Sequence, residues 1–119
     1  MKIIADSAIP FLEGVLEPYA ETIYLPGRAI AARDVRDADA LVVRTRTRCD
    51  AALLDGSRVR FIATATIGFD HIDLDYCRRR QIGVATAAGC NARGVLQWIG
   101  AVLHHLSQRE GWRPAEKTL

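Results

Sequence analysis

The sequence predicts an α/β protein built on an open, doubly wound parallel sheet. Three observations carry that expectation. Short apolar runs rich in β-branched residues recur five times in 119 residues, and amphipathic stretches separate them. The third run, Ala40-Leu41-Val42-Val43, has no polar alternation, as expected of a strand with helices on both faces. Strands alternating with helices favour parallel neighbours joined by right-handed crossovers.

The elements follow in order. Lys2-Ile3-Ile4-Ala5 reads as the first strand, stopped by Asp6-Ser7. Ile9, Leu12, Val15 and Leu16 then fall at helical spacing and predict a helix over residues 8–17. Thr22-Ile23-Tyr24-Leu25 is the second strand, ended by Pro26-Gly27. A short helix is expected around residues 31–37, the third strand over 40–44, and a helical turn over 51–54 stopped by Gly56. Arg60-Phe61-Ile62-Ala63-Thr64 is the fourth strand. Asp73 can cap a helix through about residue 80, and Ile82-Gly83-Val84-Ala85-Thr86 is the fifth strand. Asn91 opens the longest helix, to about residue 109. Its apolar belt of Val95, Leu96, Trp98, Ile99, Val102, Leu103 and Leu106 is wider than one sheet face requires, which predicts a helix wedged between two domains. Lys117-Thr118-Leu119 reads as the entry to a further strand, so the chain is expected to be a piece of a longer protein.

Composition limits the classes of function. Half the residues are apolar and a quarter charged, which excludes disorder. Lys plus Arg is 16 and Asp plus Glu 14, for a net charge of +2, too slight a bias to argue for nucleic acid. No run approaches the roughly 18 apolar residues of a membrane span, and no secretory leader is expected where Asp6 follows so soon on Met1. Cys49, Cys77 and Cys90 are odd in number and widely spaced, so neither a disulfide framework nor a zinc ribbon is expected. A reducing, cytoplasmic compartment suits them.

Ligands of open parallel sheets bind beyond the carboxyl ends of the strands. Three segments there carry chemistry. Arg44-Thr45-Arg46-Thr47-Arg48 follows the third strand. Read as extended, it places three guanidiniums on one side and two hydroxyls on the other, a set suited to phosphate or carboxylate. The competing reading is a solvated loop pairing with Asp50 or Asp55. Thr64-Ala65-Thr66-Ile67-Gly68 follows the fourth strand and offers hydroxyls and a turn. Gly89-Cys90-Asn91 precedes the long helix, where Asn91 is a natural cap and the helix end favours anions. His71 reads as a packing residue at a helix entry, and Cys90 as a small buried one. His104 and His105 are adjacent and point about 100° apart on a helix, wrong for a shared metal. No dinucleotide-binding glycine motif, P-loop or nucleophile elbow is present.

Several segments together resemble one family. Ile3-Ile4-Ala5-Asp6-Ser7-Ala8-Ile9-Pro10, the Leu-Pro-Gly-Arg of residues 25–28, the stretch 39–45, the stretch 59–73 and Gly89-Cys90-Asn91-Ala92-Arg93-Gly94-Val95 are similar, in order, to the NAD-dependent D-2-hydroxyacid dehydrogenases. The resemblance implies a flavodoxin-like substrate domain and hinge helix over residues 1–110. Residues 111–119 would then lead into a Rossmann domain outside this chain. It further implies NAD bound mainly by that other domain, a small phosphorylated hydroxy acid as substrate, and a cytoplasmic homodimer. By position, Thr45 and Thr66 correspond to substrate-binding hydroxyls, with Arg44 an anion partner beside them. The family's catalytic arginine, acidic residue and histidine would lie beyond Leu119, so the chain alone is expected to be inactive. Gln97 and Trp98 stand where the family usually has an acidic or tyrosine-type pair. A non-catalytic binding module for a phosphorylated acid, or another dehydrogenase of this family, remains an alternative. A phosphoacceptor signalling domain would need an aspartate where Arg44 stands and a lysine after the fifth strand.

Overall fold

A computed structural model describes residues 1–111. These fall into two compact units, Met1–Ala88 and a second from Gly89 onward, each taken by itself below. The expected linker over residues 112–119, with its strand entry at Lys117-Thr118-Leu119, lies outside the described residues.

The first unit holds five parallel strands: β1 (Lys2–Asp6), β2 (Glu21–Leu25), β3 (Ala40–Val43), β4 (Phe61–Thr64) and β5 (Gly83–Thr86). Their order is β2-β1-β3-β4-β5, the flavodoxin-like arrangement. Each predicted strand is present within a residue or two. Register is set by the apolar pattern: Ile4 lies opposite Leu41, Leu41 opposite Ile62, and Ile62 opposite Val84. A slip of one residue would turn this whole row to the other face.

Three short helices cover that row: α1 (Ala32–Val35), α2 (Ala51–Leu54) and α3 (Leu74–Arg79). Val35, Leu53, Leu54, Tyr76 and Cys77 pack from them onto Ile4, Leu41, Val43 and Ile62. Asp50 caps α2 by accepting from the N–H groups of Ala52 and Leu53, and Asp73 caps α3 by accepting from Tyr76 N at 2.8 Å. The end of α3 is a Schellman motif. Ile82 N reaches Cys77 O at 2.8 Å and Gln81 N reaches Arg78 O at 3.1 Å. Gln81 sits at φ 56°, a place that usually takes glycine.

Two expectations need correction. The helix over residues 8–17 does not form. Pro10 supplies no N–H, Phe11 and Gly14 adopt φ of 60° and 85°, and Pro18 follows. The segment closes isolated turns, among them Val15 N to Leu12 O and Tyr19 N to Leu16 O, and Phe11 and Val15 are exposed. Nor do helices cover both faces of the sheet within residues 1–88. The chain steps from β2 through β3 and β4 to β5 in one direction, and right-handed crossovers in one direction place every helix on the same side. The opposite face carries Ile3, Ala40, Val42, Phe61 and Ala63, which line a shallow apolar hollow with Leu16 of the irregular segment.

In the second unit, α4 (Ala92–Glu110) is a single 19-residue helix. It stops at Gly111, whose N–H still donates to Ser107 O at 2.9 Å and whose left-handed φ of 67° then turns the chain out of the helix. Asn91 precedes the helix but makes no side-chain cap bond. Its φ and ψ of −108° and 3° are not the extended conformation from which a capping side chain reaches back. Cys90 is exposed, not buried.

Candidate anion-binding site

The carboxyl ends of β3 and β4 lie level, with Val43 opposite Thr64, so the loops that leave them start side by side. The first loop departs from the extended form the Arg-Thr alternation predicts. β1 ends at Asp6, one residue past the Ala5–Val42 pair, and β4 ends at Thr64, so no ladder is left for β3 to extend along. The chain turns instead, with Thr47 N donating to Arg44 O at 3.2 Å.

That turn re-sorts the side chains. Thr47 points inward, is 2% exposed, and donates its hydroxyl to Gly27 O at 2.9 Å. Arg44 donates from Nη1 to Ala8 O at 2.9 Å, which leaves Nε and Nη2 for another acceptor. Thr45, Arg46 and Arg48 come together instead. With Gly68, Asp70 and His71 from the loop after β4, they line an open cleft of about 360 Å³. Arg48 Nε holds Asp50 Oδ2 at 2.9 Å, so the pairing foreseen in the solvated-loop reading exists for this one arginine. Arg46 has no ion pair among the described residues. Its guanidinium is the uncompensated charge on this wall, and Asp70 stands across from it.

The two walls are tied by backbone. Cys49 N donates to His71 O at 2.7 Å and Asp73 N to Cys49 O at 2.9 Å, a parallel bridge between Cys49 and Ile72. Cys49 is fully buried, and burial pushes its thiol up to about 12. It is therefore an inert packing group and not a nucleophile.

Thr66 sits at the mouth of the second loop and is held by a chain of contacts. Its Oγ1 donates to Gly68 O at 3.0 Å, lies 2.7 Å from Thr64 Oγ1, and Thr64 Oγ1 lies 3.1 Å from His71 Nε2. Burial pulls the His71 pKa below its usual value, against the opposing pull of the Asp70 carboxylate. The imidazole thus favours its neutral form at physiological pH.

Of the three expected residues the structure therefore places Thr45 on the cleft, while Thr66 is outside its lining but bonded to Gly68, which lines it, and Arg44 lies beside the first turn of the chain after β1. Arg46 and Arg48 belong to the guanidinium set that the sequence offers for an anion, and His71 is the residue that it reads as packing. The signal for His71 was its place between a strand-end Thr-x-Thr and the Asp73 cap, which brings its ring back over the strand end.

Comparisons with known proteins bear on this site. Residues 4–97 match the family described as D-isomer specific 2-hydroxyacid dehydrogenase, catalytic domain. An erythronate-4-phosphate dehydrogenase of Bacteroides fragilis is 50% identical over 120 aligned positions, covering 100% of this chain and 34% of that protein. The enzyme of the same name from Azotobacter vinelandii is 53% identical over 111 positions, covering 93% of this chain and 29% of that protein. Among solved structures, the NAD+-bound 3-phosphoglycerate dehydrogenase of Entamoeba histolytica superposes with a TM-score of 0.65 at 26% identity, over 87% of this chain and 38% of that one. The chain thus spans about a third of the length of the relatives it matches.

Proposed function

The chain belongs to the D-isomer specific 2-hydroxyacid dehydrogenase family, and from that premise we propose that it is the substrate-binding part of an erythronate-4-phosphate dehydrogenase. In this reading the whole enzyme oxidises 4-phospho-D-erythronate to 2-oxo-3-hydroxy-4-phosphobutanoate in pyridoxal phosphate synthesis. It works in the cytoplasm, as a homodimer, with NAD as hydride acceptor. Relatives of that name, at about half identity across this chain, support the substrate. The observation that carries the proposal is the cleft at the carboxyl ends of β3 and β4, lined by Thr45, Arg46, Arg48 and His71.

The described residues do not fit the dinucleotide. In a nucleotide-binding sheet the turn after the first strand receives a pyrophosphate. Here that turn holds the buried Asp6 carboxylate, which accepts from Ala8 N at 2.9 Å and would repel an anion. This supports the reading in which NAD is held mainly by residues outside those described.

What this chain can supply is binding and orientation. Arg46, with the free nitrogens of Arg44, meets a phosphate or carboxylate, since guanidinium forks match both groups. Thr45 and Thr66 add neutral hydrogen bonds that fix the carbon chain between the anionic ends. The test is NADH formation from 4-phospho-D-erythronate by a polypeptide carrying this sequence extended to the length of its relatives. Turnover is expected there and not with the 119-residue chain. An extended enzyme that oxidises unphosphorylated D-erythronate equally well would overturn the substrate assignment.

A further inference from the structure

We infer that His71 is a positioning residue that, through Thr64, sets Thr66 Oγ1 as a hydrogen-bond acceptor facing the substrate. This rests on the proposal that Thr66 contacts substrate.

The inference follows from counting protons. Three contacts form the chain: His71 Nε2 to Thr64 Oγ1 at 3.1 Å, Thr64 Oγ1 to Thr66 Oγ1 at 2.7 Å, and Thr66 Oγ1 to Gly68 O at 3.0 Å. A carbonyl oxygen can only accept, so Thr66 spends its one hydroxyl proton on Gly68. The proton between the two hydroxyls must then come from Thr64. With that proton spent, Thr64 can only accept from the ring, so Nε2 carries the hydrogen. This order alone gives every contact a proton. It makes His71 the Nε2–H tautomer and leaves Nδ1 as its acceptor.

The consequence lies at the far end of the chain. Thr66 Oγ1 has donated its proton and filled one lone pair, so one lone pair remains. It can receive a substrate O–H, and it cannot donate to a carboxylate or a phosphate. Thr66 therefore recognises an alcohol of the hydroxy acid, and the anionic ends fall to the arginines. Packing alone does not require this ring at position 71, because His71 is only partly buried. Thr64 is the buried relay, at 4% exposure, and an apolar residue at 71 would leave its hydroxyl free to reverse and turn the lone pair of Thr66 away.

Two measurements test this. Long-range ¹H–¹⁵N spectra of the imidazole in the 119-residue chain report the tautomer directly and need no variant. Nε2-protonated neutral His71 is expected, and a dominant Nδ1-protonated form would overturn the inference. In the extended enzyme, His71→Leu should raise KM for 4-phospho-D-erythronate roughly three- to tenfold, the usual loss of one neutral hydrogen bond. KM for NAD should not move. His71→Gln, whose amide N–H can reach toward Thr64, should restore KM to within about twofold of the parent, a recovery that a merely structural role does not predict. Added to Thr66→Val, His71→Leu should cost nothing further. If Thr66→Val raises KM and His71→Leu does not, the positioning role is wrong and the substrate site stands. If neither raises it, Thr66 does not meet the substrate and both assignments fall. Thermal melts of each variant separate misfolding from these outcomes.

Discussion

Replacing Gly27 by alanine should damage the fold well out of proportion to one methyl group. An added Cβ would lie 2.5 Å from Asp6 Oδ2, 2.9 Å from Asp6 Cγ and 3.1 Å from Thr47 Oγ1. None of these is the loose end of a flexible chain. Asp6 is 1% exposed and its carboxylate is held by Ala8 N. Thr47 is 2% exposed and donates to the carbonyl of Gly27 itself. Contact distances near 3.5 Å require the carboxylate to move by the better part of an ångström. Overpacking of this kind costs about 1–3 kcal/mol, and losing the Thr47 bond adds about 0.5–1.5 kcal/mol. At roughly 4–8 °C per kcal/mol for a unit of this size, the melting temperature should fall by at least about 6 °C. The assay is thermal unfolding followed by circular dichroism. Gly68→Ala serves as control, because only Asp70 Oδ2 lies near its Cβ, at 4.0 Å. A Gly27→Ala protein melting within about 2 °C of the parent would show that the ends of β1 and β3 are not fitted as described.

Other expectations follow the same reasoning. Gln81→Gly relieves a left-handed residue at the end of α3 and should stabilise the chain by up to about 1 kcal/mol, read from urea midpoints. Thr45→Val and Thr66→Val should each cost about 0.5–1.5 kcal/mol in substrate binding, and Arg44→Ala about 1.5–3 kcal/mol, read as KM in the extended enzyme. An unchanged KM for Arg44→Ala would confine that residue to its bond with Ala8. For pH, the folded His71 pKa is lowered by burial. Its contribution to stability is therefore intact above the unfolded value near 6.5 and is lost as pH falls through it, because the unfolded chain takes up the proton first. Urea midpoints at about pH 8 and about pH 5.5 should differ less in His71→Gln than in the parent.

The five strands were legible because each is a compact run of β-branched residues between turn-formers, and local pattern decides such segments. The cap of α3 was legible for the same reason, with Asp73 standing just before the helix, whereas Asp50 at the start of α2 read only as a partner for the arginine run. Residues 8–17 misled because four apolar residues at helical spacing say nothing of φ at Phe11 and Gly14, or of a missing N–H at Pro10. The Arg-Thr run misled differently. Alternation along a strand holds only where a neighbouring strand continues, and the length of β1 and β4 is not written in residues 44–48. His71 was the least legible of all. Its meeting with Thr64 depends on the course of the loop between them and on the pins from Cys49 to His71 and Asp73, which no local pattern contains.

In the proposed reading, the cleft between the loops after β3 and β4 receives a phosphorylated hydroxy acid. The most direct measurement is an NMR titration of the 119-residue chain with 4-phospho-D-erythronate up to millimolar concentration, with unphosphorylated D-erythronate alongside. Saturable amide shifts at Thr45, Arg46, Arg48, Gly68 and His71, weaker with the unphosphorylated acid, are predicted. A second arginine-lined hollow, bordered by Arg58, Arg60 and Arg80, precedes β4 and β5 at the amino ends of the strands. Shifts concentrated there, or none at the cleft, would overturn the assignment of the cleft as the substrate site.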